Sequence, residues 1–226
     1  MATDISRVRV GRIAVRRAAA VEELLDHAER IVEESGAGAI TVAEIARRMG
    51  IKPPSVYKYF PSLHAIYDGL FARGNTRLAQ YVDEAVDELE PGLARLLESN
   101  RAFLRWSMLN RGLAVLLFWR PIPGFEPSPE SYALAEELVT RARADLSKAV
   151  RKGDLDESAD SEEAFRLLTT LGAGIASQQF ANEPGATYEA GVFTSLTDRA
   201  LDMFVQQYAP RRSQGTSPTT SPRRNR

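Results

Sequence analysis

With two histidines and no cysteine, this chain of 226 residues has little with which to do covalent chemistry. Disulfides, thiolate zinc sites and cysteine nucleophiles are excluded. His27 and His64 are far apart in sequence, and no metal-ligand spacing surrounds either one. The acid pairs Glu22-Glu23, Glu33-Glu34, Glu136-Glu137 and Glu162-Glu163 fall at helix ends or on polar faces, where they are solvated rather than poised as acid and base. Gly172-Ala-Gly174 sits inside a helical pattern and is a packing feature, not a phosphate loop. The residues therefore argue against an enzyme, a metal or a cofactor. What remains is a cluster of hydrogen-bond donors. Ser55, Tyr57, Lys58 and Tyr59 follow Lys52, Pro53 and Pro54 within eight residues. Two tyrosines beside a lysine, on a short helix opened by prolines, suit base edges and phosphates.

The elements that must position this cluster are helices. Val21, Leu24, Leu25, Ala28, Ile31 and Val32 recur at helical spacing and predict a helix over 21–34. Thr41-Val-Ala-Glu44 reads as a capping box, with Glu44 reaching back to the cap amide, and opens a helix over 41–49. Gly50 supplies a left-handed stop. Because a proline disfavours α geometry in the residue before it, Pro53 is expected outside the third helix or at its cap, with Pro54 near its first position. That helix runs over 54–60 to Pro61. Ser62 caps a long fourth helix carrying Ile66, Leu70, Leu78, Tyr81, Val82, Ala85 and Leu89, with a bend expected near Gly74 and Asn75. The turn Gly50-Ile51-Lys52 has the length a helix-turn-helix uses, and Ile45, Ala46, Met49, Ile51, Val56 and Phe60 form its buried side. Downstream, Pro91 precedes a helix with Leu93, Leu96, Leu97, Phe103 and Leu104. A short apolar helix covers 113–119, and residues 121–129 form a proline-rich loop. Three further helices are expected over 129–152, 161–180 and 187–208, giving about nine helices and no strand.

The run Thr41-Val-Ala-Glu-Ile-Ala-Arg-Arg-Met-Gly-Ile-Lys-Pro-Pro-Ser-Val-Tyr-Lys-Tyr-Phe-Pro-Ser62 resembles the DNA-binding signature of tetracycline-repressor-type (TetR) regulators. The resemblance implies an all-α protein: a three-helix DNA-binding domain joined to a larger effector-binding and dimerisation domain. It implies that Pro53, Pro54 and Ser55 face bases, that Thr41, Tyr57 and Tyr59 hold phosphates, that Lys58 lies beside the backbone, and that Lys52 belongs to the DNA-binding set. One position departs from the family pattern. Leu63 stands where a phosphate-binding lysine is usual, and His64 or the N-terminal arginines are candidates to replace it.

The expected organisation is a basic arm over 1–17, the DNA-binding domain over 18–65, the effector and dimerisation domain over 66–209, and a disordered basic tail over 210–226. The arm carries five arginines against one acid and the tail five against none, so the stretch between them holds ten excess negative charges. Basic ends on an acidic body suit contact with a polyanion. The arm either reaches DNA, as homeodomain arms do, or is a plain disordered segment. Phe103, Trp106, Phe118, Trp119 and Phe125 are candidates to line an effector pocket or to be core. Arg101, Arg105, Arg111 and Arg120 nearby favour an anionic effector. The small-residue run Thr169–Ser177, with Phe193, Leu196, Ala200 and Phe204, points to homodimerisation through helices 161–180 and 187–208, or to an internal core. A dimer would present two readers to a palindromic double-stranded DNA operator. The resemblance thus implies a DNA-binding regulator, a repressor released by a small-molecule effector. The alternative is a helical adaptor or pseudo-regulator that binds protein. Neither a secretory signal nor a membrane span is apparent, and a cytoplasmic location is expected.

Overall fold

The first helix, α1 (Ala2–Ser35), buries Leu24, Leu25, Ala28, Ile31 and Val32 along one stripe, the set that the 3.6-residue period picks out. It belongs to a computed structural model that describes residues 2–210, with side chains from Ala14 onward. Helix α1 does not begin near residue 21. It continues upstream through the arginine-rich segment, where Ala14, Ala18, Ala19 and Ala20 favour helix. Every side chain from Ala14 to Ala19 is exposed. The tail expected over 210–226 lies, from residue 211 on, outside the described residues.

After a single 3-10 turn come α2 (Val42–Arg48), α3 (Pro53–Val56) and α4 (Leu63–Val86). Helix α3 is shorter than the expected 54–60 and starts one residue earlier. Lys52 is its cap, in extended geometry, and Pro53 and Pro54 fill the first two positions. Those positions have no intrahelical partner for an amide, so two prolines are accommodated and Pro53 lies inside the helix. Tyr57 to Phe60 continue as turns hydrogen-bonded to Ser55 and Val56. Helix α4 runs unbroken through Gly74 and Asn75, whose buried amide donates to the Phe71 carbonyl (3.0 Å).

Helix α4 lies in the first of two cores. On one side, Ile66, Tyr67, Leu70, Phe71 and Leu78 join α1, α2 and α3. The same cluster takes in Trp106 from α5 (Leu93–Leu109) and Leu113, Ala114, Leu116 and Leu117 from α6 (Arg111–Trp119). The second core gathers Leu96 of α5, Leu146 and Ala149 of α7 (Pro129–Lys152), Ala164, Phe165 and Leu168 of α8 (Glu162–Asn182), and Leu201 and Phe204 of α9 (Thr197–Gln207). The hydrophobic core of the reader therefore continues past residue 66, and α1 is bonded directly to the larger half.

Two polar ties reinforce that continuity. Arg73 of α4 reaches Glu22 (2.5 Å), Asp26 (2.6 Å) and Glu29 (3.2 Å) on α1, and Arg77 also pairs with Glu29. Glu33 of α1 accepts from the first amides of α6, Gly112 (2.9 Å) and Leu113 (3.3 Å). A carboxylate there satisfies orphan donors and complements the helix dipole.

The expected continuous helix over 187–208 is interrupted. Residues 187–193 are turns, Thr194–Leu196 is a 3-10 turn, and only Thr197–Gln207 is α-helical. The cause is Gln179, almost fully buried on α8. Its carbonyl accepts from the Phe193 (3.0 Å) and Thr194 (3.3 Å) amides, while its amide donates to Glu183. Backbone groups held by a side chain are withdrawn from a helical ladder.

The α1–α6 contact leaves no room for a side chain at Gly112, where a Cβ would meet Glu33 Oε1 and Val32 Cγ1, both at 2.8 Å. Gly112→Val is expected to cost about 1–3 kcal/mol through overpacking and loss of the Glu33 bonds. Urea unfolding of both proteins measures it, and an unchanged midpoint would show that the contact yields freely.

Candidate nucleic-acid interface

Helix α2 begins where the Thr41 hydroxyl accepts from the Glu44 amide (3.1 Å). The reciprocal half of the expected capping box is replaced. The Glu44 carboxylate turns instead to Arg47 (2.7 Å) and Arg48 (2.8 Å). Arg48 also reaches Glu34 at the end of α1 (2.6 Å), so the three charges fasten α2 to α1. Two guanidiniums, Arg47 foremost, hold the Glu44 carboxyl down at about 2, and Arg48 lowers that of Glu34.

The helix ends in a Schellman motif. Ile51 N–H donates to the Ala46 carbonyl (3.0 Å) and Gly50 N–H to that of Arg47 (3.2 Å), with Gly50 at φ +67°. This sharp stop redirects the chain so that α3 crosses α2 at Ile45 and Ala46, both fully buried, as is Val56 opposite. The crossing predicted around Ala46 is thus present.

The inward side of the turn is used up by packing, and the outward side is free. Thr41, Lys52, Pro53, Pro54, Tyr57 and Lys58 are exposed, and Ser55 is half-buried. Tyr57 is 53% exposed. Tyr59 is half-buried and packs its ring against the core. The structure therefore gathers all eight expected residues around one short helix and its approach. Leu63, the departure from the family pattern, also packs against the core. His64 is exposed beside it, its ring 6.1 Å from Phe125.

The aromatic residues expected near a pocket separate. Trp106 and Phe125 are buried in the first core, and Phe125 sits among His64, Tyr67 and Phe71. Phe103, Phe118 and Trp119 form an edge-to-face series that ends on Phe180, with Phe118 and Trp119 partly open to solvent. Phe180, at the end of the helix expected over 161–180, joins this series although its position in the sequence gives no sign of it. Of the four arginines expected near them, Arg101 pairs with Glu98 and Asp198, and Arg105 with Glu98. Arg111 lies over the Phe180 ring, 5.9 Å from its centroid. Arg120 lies over Tyr132. No group of acids and histidines able to hold a metal occurs among the described residues.

Residues 24–68, which hold this reader, match the family model described as bacterial regulatory proteins, tetR family. Over those residues the chain is similar to that family. A relative, an HTH-type transcriptional regulator of Mycobacterium tuberculosis, is 25% identical over 150 residues. That match covers 65% of this chain and 64% of the relative, so the chain spans just under two thirds of its length. The fold is also that of solved transcriptional regulators. PfmR of Thermus thermophilus superposes with a TM-score of 0.60 at 18% identity, over 84% of this chain and 99% of that one. FadR of Bacillus subtilis, solved with stearoyl-CoA, gives 0.64 at 16% identity over 81% and 97%.

Two outcomes test the reader's construction. Thr41→Ala removes the cap of α2 and is expected to lower stability by about 1 kcal/mol in chemical unfolding. The Glu44 carboxyl titrates lower in the folded chain than in the unfolded one. Its stabilisation is present above the unfolded value of about 4.5 and is lost as pH falls toward about 2. Melting temperatures of wild type and Glu44→Gln should therefore differ at neutral pH and converge across that window; parallel curves would contradict the pairing.

Proposed function

We propose that this chain is a sequence-specific DNA-binding regulator that works as a homodimer and represses transcription until a small-molecule effector releases it. The observation that carries the reading is the α2–α3 unit. Its apolar side is spent on Ile45, Ala46 and Val56, and its solvent side presents Pro53, Pro54, Ser55, Tyr57 and Lys58 around a helix opened by Lys52. In this reading Pro53, Pro54 and Ser55 meet base edges in the major groove, and Thr41, Tyr57, Lys58 and Tyr59 meet phosphates. Lys52 supplies charge beside them.

Dimerisation is supported by exposed apolar stripes on the last two helices. Leu167 of α8 continues into Thr170 and Gly174, all exposed. Leu196, just before α9, and Met203, on α9, are 46% and 60% exposed. Such stripes suit an isologous interface between copies. Phe204, by contrast, is spent within the chain's own core.

An effector is supported by the larger half. On the same fold, FadR of Bacillus subtilis holds stearoyl-CoA. The open series Phe103–Phe118–Trp119–Phe180, with Arg111 at its edge, would receive an apolar molecule carrying an anionic group. Release requires the ligand to bind the non-DNA geometry better than the DNA-bound one. The Glu33 and Arg73 ties give movement of α6 or α4 a direct path to α1.

The test is selection of duplexes from random DNA, followed by titration of the recovered sequence at several salt concentrations. A palindrome with half-sites about one duplex turn apart is expected. Lys58→Ala should weaken binding to all sequences alike and make the log K against log salt slope shallower by about 2, one phosphate contact per half-site. Ser55→Ala should relax preference at particular base pairs. Binding without sequence preference would sink the reading and favour a protein-binding adaptor.

A further inference from the structure

The solvent side of α3 is apolar and short of hydrogen-bond donors. Pro53 and Pro54 fill the first two positions of the helix, and both are exposed. Neither carries an N–H, and the Ser55 N–H donates to the Lys52 carbonyl (2.8 Å). The first three residues of the helix therefore present no free backbone donor. Two pyrrolidine rings stand there instead, held in place because Val56, next along, is fully buried. Ser55 adds one hydroxyl, which both donates and accepts and so suits several base edges.

The arginines of α2 are already occupied. Arg47 lays Nε and Nη2 on the two Glu44 oxygens, each at 2.7 Å. Arg48 grips Glu34 through Nη1 (3.1 Å) and Nη2 (2.6 Å), and its Nε goes to Glu44 (2.8 Å). A fork bonded to a carboxylate is withheld from O6 and N7 of guanine, the acceptors that arginine most often reads. Between Thr41 and Ser62 there is also no Asn or Gln to hold adenine by the matching two bonds. The side chains that could discriminate bases by paired hydrogen bonds are thus either absent or spent within the reader.

We propose that α3 recognises its half-site by packing the Pro53 and Pro54 rings on the 5-methyl groups of neighbouring thymines. The proposal rests on the DNA-binding reading above, in which the start of a recognition helix meets base edges in the major groove. The thymine methyl is the apolar group displayed in that groove, and carbon rings without donors complement it. A guanine or cytosine edge at the same place would lose water from its acceptors or amino group with nothing to replace it. Lys52 and Lys58, on either side of the rings, supply attraction to phosphate but no base preference.

The experiment titrates wild-type protein, by fluorescence anisotropy, against the selected operator with single thymines replaced by uracil. That exchange removes the 5-methyl and leaves every hydrogen-bonding group of the pair intact. Each replacement is made at the symmetry-related position of both half-sites. A methyl contributes about fourfold, so at neighbouring positions in each half-site a paired replacement is expected to weaken binding about 10- to 20-fold. Thymines elsewhere in the operator should tolerate it. The log K against log salt slope should not move, because no phosphate contact is lost. Where a sensitive thymine is exchanged for cytosine, methylating that cytosine at C5 should restore a similar factor. Pro53→Ser/Pro54→Ser, checked for a wild-type melting temperature, should bind the thymine and uracil duplexes equally. An operator without thymine in its half-sites overturns the proposal, as does a uracil series bound as tightly as the parent throughout. A folded proline variant that still prefers thymine to uracil overturns it too, and if that variant does not fold, the uracil series with wild type decides. Failure of the DNA-binding reading is separately visible, since wild type would then not distinguish the operator from a scrambled duplex.

Discussion

A helix of four residues cannot hold itself, since nucleation costs more than its few hydrogen bonds return. Helix α3 exists because Val56 is driven into the crossing with Ile45 and Ala46, and because α2 stops abruptly enough at Gly50 to bring it there. Every outward donor on the reader takes its direction from that one buried contact. The two prolines assist by restricting the chain before it arrives, which lowers the entropy lost on ordering.

The same contact has to be anchored to something larger, and α4 supplies it. One face of α4 completes the reader's core, and the helix also packs with α5, α6 and α7. Because the apolar cluster is continuous from Leu24 to Phe125, the reader and the first layer of the larger half form one packed body. Close-packed interiors transmit displacement rather than absorb it. Glu33 on the α6 amides and Arg73 on the α1 acids add directional ties to that body, each between elements distant in sequence. The loop before α7 is fastened to α4 in the same manner, through Phe125 on Tyr67 and Phe71 and through Ser128 on Asp68 (2.7 Å).

Charge is distributed with comparable economy. Glu22, Asp26 and Glu29 of α1 pair with Arg73 and Arg77, Glu44 and Glu34 are occupied by Arg47 and Arg48, and Asp145 lies buried against Arg95 and the Gly92 amide at the start of α5. Lys52 and Lys58 on the reader, and Arg16 and Arg17 in α1, are exposed cations. A chain with net charge −1 can thereby present a positive surface to a polyanion.

The amino-acid sequence by itself determined that the chain is helical, where its breaks fall between residues 35 and 62, and which residues face the turn of the reader. Hydrophobic periodicity, capping residues and prolines act over a few residues, and that is the range over which these features are decided. Tertiary structure decided the rest. Pro53 joins α3 because the turn from Gly50 delivers it there. Glu44 leaves its cap because Arg47 and Arg48 are closer partners, and the last helix breaks because a buried Gln179 captures its amides. Trp106 and Phe125 look like Phe118 and Trp119 in one dimension. Only packing separates the pair in the core from the pair at the surface, because burial depends on neighbours that are distant in the chain.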